Sequence, residues 1–110
     1  MNLYHGSIQP FSAHVGLCLT DDDVAAEEYI SRWGGFLTKV FLNADDLLIM
    51  DLDAAEYPDH APGDAGTAAD YYPADVISYA DGNEFREHHT WRVASEAAVA
   101  ALSVVWTERV

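Results

Sequence analysis

The sequence predicts an α+β fold: a mostly antiparallel β-sheet, split into two packed halves, with one main helix and a short C-terminal helix. Three observations lead there. Short runs have strand character, and segments rich in Gly, Pro, Asn or Asp separate several of them. The spacing turns helical at two places only, after Asp21 and after Ser95. The 110 residues, half of them apolar, suit one domain, residues 1–110, around a single core.

Leu3-Tyr4-His5 reads as a first strand and His14 to Thr20 as a second, joined by a Pro-containing loop from Ile8 to Ala13. Thr20-Asp-Asp-Asp23 has the spacing of a capping box, and Val24, Ala25, Tyr29 and Trp33 follow at helical intervals. A helix is therefore expected from about Asp21 to Arg32, with these side chains on its apolar face and Gly34-Gly35 ending it. Phe36 to Leu42 and Leu47 to Leu52 read as a hairpin turning at Asn43-Ala-Asp-Asp46. The Ala-, Asp-, Gly- and Pro-rich run from Asp53 to Asp70 has no period and reads as a surface excursion. Strands return at Asp75 to Tyr79 and at His88 to Val93, with a turn at Ala80 to Asn83 between them. Ser95 can cap a short helix through Leu102, and Ser103 to Thr107 is the last strand.

Charge narrows the function classes. Five Lys and Arg against nineteen Asp and Glu leave a formal charge of -14. Such a surface repels phosphate backbones, so direct nucleic-acid binding is excluded, whereas a basic or nucleic-acid-binding protein partner is attracted. No run approaches the ~18 apolar residues of a membrane span. No basic segment followed by an apolar stretch opens the sequence, and Cys18 has no second cysteine to pair with. An intracellular, reducing compartment is the expectation.

Chemistry-bearing residues concentrate near the start. The stretch Asn2 to Ser7, NLYHGS, ends a strand on His-Gly, and a Gly-containing strand then runs into TDDDVAAEEY. On the residues alone, His5-Gly6 also suits a structural turn, Tyr29 suits core packing, and Cys18 suits a small buried hydrophobe. Together the two stretches resemble the first two motifs of the ADP-ribosyltransferase family, in its diphtheria-toxin-like and PARP-like branch. The resemblance covers Asn2 to Ile30 and extends loosely, through strand order, to the rest.

That resemblance implies an NAD site. His5 would hydrogen-bond the ribose, Gly6 would let the backbone approach the nicotinamide amide, and Tyr29 would stack on the nicotinamide ring. Ser7, Gly16 and Thr20 stand at the motif positions and join the cofactor-binding set. The family's catalytic glutamate falls on Glu87, with Glu84 as the alternative, and Cys18 stands where many relatives carry an aromatic. Small phage and mobile-element members, anti-CRISPR proteins among them, are similar in size and motif order, which implies a host protein as target. The expected activity is transfer of ADP-ribose from NAD to a host macromolecule. The alternative is a non-catalytic acidic inhibitor that mimics nucleic acid, with Asp45, Asp46, Asp59, Asp64 and Asp70 in exposed loops facing a basic partner.

Other constellations are weaker. Asp51, Asp53, Asp59, His60, His88 and His89 are of metal-ligand type but lack the spacing of a known metal motif, so no metal site is assigned. His88 and His89, adjacent on a strand, point to opposite faces.

Overall fold

The computed structural model describes residues 1–30, 32–52, 74–82 and 87–110. In chain order the elements are β1 (Asn2–Ser7), β2 (Cys18–Thr20), α1 (Asp23–Ile30), β3 (Phe36–Leu42), β4 (Ile49–Asp51), β5 (Val76–Gly82), β6 (Glu87–Val93), α2 (Glu96–Ala100) and β7 (Leu102–Arg109). The α+β class is as expected, but the strands form one seven-stranded mixed sheet rather than two packed halves, in the order β4-β5-β6-β2-β1-β3-β7. What joins the halves is short: β1 and β2 share a single residue pair, Tyr4 with Thr20. On its other side β1 pairs with β3 at every residue from Asn2 to Ser7.

The expected hairpin between Phe36–Leu42 and the next strand does not form. β3 is flanked by β1 and β7, both long antiparallel partners, so the three-residue β4 finds no free edge there. It pairs instead in parallel with β5 at the far side of the sheet. The second strand is shorter than expected because Gly16, at φ +98°, turns the chain just before it, with the Leu17 N–H donating to the His14 carbonyl at 3.2 Å. The run from Asp53 to Asp70 lies outside the described residues, apart from which the strands at Val76–Gly82, Glu87–Val93 and Leu102–Arg109 extend the expected ones by a few residues.

Helix α1 starts where Asp22 caps it: Asp22 Oδ1 accepts from the N–H of Val24 at 2.9 Å and of Ala25 at 3.3 Å. Its buried stripe is Ala26 and Ile30, not the expected Val24, Tyr29 and Trp33. Tyr29 is 77% and Trp33 71% exposed. The reason is the neighbour. A Cβ on Gly6 would collide with the Ala26 carbonyl, so the helix backbone lies directly on β1 and only small or flat contacts fit between them. The second helix begins as expected, with Ser95 Oγ accepting from the Ala98 N–H at 3.2 Å.

Alternation along β1 separates the two faces of the sheet. Tyr4 and Gly6 face α1. Leu3 joins Leu17, Leu19, Val40, Leu42, Val76, Val93 and Ala98 of α2 in the main core on the opposite face. β7 carries an extra residue, Val105: Val104 pairs with Val40 and Trp106 with Lys39, so the register slips between them. The bulge turns Trp106 to the α1 face, where its ring stands 6.3 Å from that of Tyr4. No described helix is long and apolar enough to cross a membrane.

Candidate functional site

Where the β1–β2 ladder stops, the sheet and α1 enclose a cleft of about 520 Å³, within the size range of small-molecule sites. Its floor follows from strand register. Tyr79 pairs with Thr90, Thr90 with Thr20, and Thr20 with Tyr4, so one lateral row crosses β5, β6, β2 and β1, and all four side chains line the cleft. One wall is α1, through Ala25, Ala26, Glu28 and Tyr29. His88, two residues from Thr90 on the same face of β6, lines it as well, while His89 turns away to meet the Trp91 ring at 4.5 Å.

His5 sits at the seam. Its Nδ1 lies 2.8 Å from the Cys18 carbonyl oxygen. A carbonyl only accepts, so Nδ1 carries the proton and Nε2 presents a lone pair. The ring therefore supplies the cross-strand hydrogen bond that the backbones of β1 and β2 do not make beyond Tyr4. Burial pushes the His5 pKa below its ordinary value of 6.5, against the opposing pull of the Cys18 carbonyl, and positive charge on His14 adds to the depression. At neutral pH the ring is uncharged, an acceptor through Nε2. The Phe11 ring meets it edge-on at 5.8 Å.

The residues expected from the sequence divide. His5, Gly6, Thr20 and Tyr29 meet in this cleft; Ser7 and Gly16 do not line it. Ser7 Oγ donates to the Gln9 carbonyl at 2.6 Å, and Gly16 belongs to the turn before β2 rather than to the strand. Gly6 has a structural reason for its missing side chain, the crossing of α1. Tyr29, expected against the core, projects at the rim with its ring open to solvent. Glu87 opens β6, where its backbone pairs with Gly82, and Glu84 lies outside the described residues. Cys18, expected to be buried, is exposed and lines the cleft, because it shares the α1 face with Thr20.

Sequence reasoning missed Tyr4, Glu28, Tyr79 and Thr90, and gave His88 no role here. The period-two series His88, Thr90, Arg92 was a readable signal that these side chains share a face. That this face meets Tyr29 depends on long-range register, which no local pattern encodes. Among the described side chains, Glu28 is the carboxylate that lines the cleft. No group of three or more His, Cys, Asp or Glu is placed to hold a metal ion among the described residues. Comparison with protein-family models, curated proteins and solved structures finds no match.

Proposed function

We propose that the cleft binds NAD and that the protein is an ADP-ribosyltransferase-like enzyme acting on a protein target. The observation that carries this reading is the convergence of His5, Gly6, Thr20 and Tyr29, drawn from three separate elements, on one cleft of suitable volume. Each has a physical task. Neutral His5 accepts a ribose hydroxyl through Nε2. The exposed Tyr29 ring offers a face to the nicotinamide ring. Tyr4, Thr20, Tyr79 and Thr90 supply hydroxyl groups along the floor.

In the reaction the bond between the ribose anomeric carbon and the nicotinamide nitrogen breaks, and its electron pair leaves with nicotinamide. A nucleophilic atom of the target forms the new bond to that carbon and gives up its proton. Positive charge develops on the sugar as the bond breaks, and a carboxylate beside it lowers the barrier. Glu28 is the carboxylate of the described cleft, ahead of the sequence-based choices Glu87 and Glu84. The testing experiment is incubation with labelled NAD and a cell lysate, beside a His5→Ala variant. Labelling of a lysate protein, or slow release of nicotinamide, is expected from the wild type and not from the variant. No labelling, no hydrolysis and no NAD-dependent rise in melting temperature would exclude the reading.

A second reading, an acidic inhibitor occupying the nucleic-acid groove of a basic partner, draws support from the exposed carboxylates of Asp45 and Asp46 after β3 and of Asp21, Asp23 and Glu27 around α1. Displacement of the protein from such a partner by excess DNA or RNA, with NAD making no difference, would favour it over the enzyme.

A further inference from the structure

Arg92 is a cation in an unusual setting. The chain holds nineteen carboxylates against five Lys and Arg, yet among the described residues none forms an ion pair with Arg92. Its polar side-chain contact is to sulfur: Nη1 stands 3.9 Å from Cys18 Sγ. The residue as a whole is half-buried while its guanidinium contact with sulfur is exposed, so among the described residues Arg92 is a cation with no counter-charge and with its head open to an incoming anion.

Its position is beside the cleft. Arg92 pairs with Cys18 across β2 and β6, and Cys18 lines the cleft. Two residues on from Thr90 and four from His88, both cleft-lining, it stands on the same face of β6, next to the cleft lining rather than within it. On its other side is Gly16, where even an added Cβ would stand 3.5 Å from Nη2, no closer than ordinary contact. Among the described residues the guanidinium is bordered by Cys18 sulfur and by a glycine, and a planar fork of this kind can take two oxygens of one anion. A negatively charged surface repels dissolved anions, so a cleft that admits one needs a local cation.

We propose that Arg92 is the anion-binding end of the cleft and selects a ligand that carries phosphate. This rests on the reading of the cleft as an NAD site, in which Arg92 holds the pyrophosphate while His5 and Tyr29 hold the nicotinamide riboside half. Arg92 is a binding residue and takes no part in bond breaking.

The test is calorimetric titration of the wild type, Arg92→Gln and Arg92→Lys with three probes: NAD, nicotinamide riboside and inorganic pyrophosphate. The wild type is expected to bind NAD more tightly than nicotinamide riboside. Arg92→Gln should weaken NAD and pyrophosphate about tenfold or more while leaving nicotinamide riboside unchanged. Arg92→Lys, which keeps the charge and loses the fork, should fall between and covers the case in which the Gln variant does not fold. Binding of nicotinamide riboside with NAD affinity indifferent to both substitutions would overturn the proposal and leave the NAD reading standing. Arg92-dependent binding of pyrophosphate without any binding of nicotinamide riboside would support the proposal and overturn the NAD reading. Absence of binding by all three probes would overturn both.

Discussion

Strand β1 treats its two neighbours differently. Toward β3 it pairs residue for residue from Asn2 to Ser7; toward β2 it pairs once, at Tyr4 and Thr20, and then hands the contact to a side chain, the His5 ring on the Cys18 carbonyl. The first edge is a scaffold, and the second is where a scaffold gives up backbone pairing to make room. The floor of the cleft is a row in which Thr20, Tyr79 and Thr90 are buried and Tyr4 is half-buried, and at its β1 end the two strands are joined by one pair and one imidazole. Rigidity on one side of a strand is what permits an opening on the other.

The comparison can be broken most forcefully at Gly6, which pairs with Leu37 of β3 and also lines the cleft. Gly6→Val places a side chain against the Ala26 carbonyl and should lift α1 from β1, at a cost of about 3 kcal/mol in chemical denaturation. A stability unchanged from wild type would mean that the helix does not lie where its contact with β1 requires.

A middle-sized effect is expected at the seam. His5→Phe removes the hydrogen bond to the Cys18 carbonyl and should cost about 1 kcal/mol. Amide exchange should quicken at Cys18–Thr20 and stay slow across Phe36–Leu42. The variant should also lose a pH dependence. Because burial lowers the pKa of folded His5 below 6.5, the unfolded chain binds more protons just under that value. The corresponding stability is fully present above pH 6.5 and is lost as pH falls through the folded pKa. A wild-type stability curve with the same acid-side slope as His5→Phe would remove His5 from this role.

The smallest effect on stability belongs to Tyr29. With 77% of its surface exposed, Tyr29→Ala should change unfolding free energy by no more than about 0.5 kcal/mol, while weakening NAD binding severalfold. Thermal melting and ligand titration measured side by side separate the two; a folded Ala variant that binds NAD as well as the wild type would take Tyr29 out of the site.

Much of the fold was legible from local pattern. Phe36–Leu42 is a run rich in apolar and β-branched residues between a glycine pair and an Asn turn, and its bounds match those expected. Ser95 caps its helix as a serine before an Ala-rich run does. What failed, failed for reasons of partnership. Adjacency in sequence predicts a hairpin after β3, and the chain instead brings β7 from Leu102 onward to pair with Leu42 and take that edge. Helix α1 was given its apolar face by residue type, and the tight crossing at Gly6 instead selected Ala26 and Ile30. Half of the cleft was readable in Asn2 to Ile30, because motif residues there are close in sequence. The half contributed by Tyr79, His88, Thr90 and Arg92 depends on which strand neighbours β2, a choice settled by the whole sheet.

The extra residue in β7 bears on how the molecule behaves in company. β7 is an outer strand of the sheet, eight residues long and carrying exposed Val104 and Val105, the kind of border on which regular strands from other chains stack into fibres. A straight incoming strand can match the side-chain alternation before Val105 or the alternation after it, but not both, since the insertion reverses the phase midway. Removing Val105 would restore one continuous phase, and with it a template for self-association that the native chain denies its neighbours.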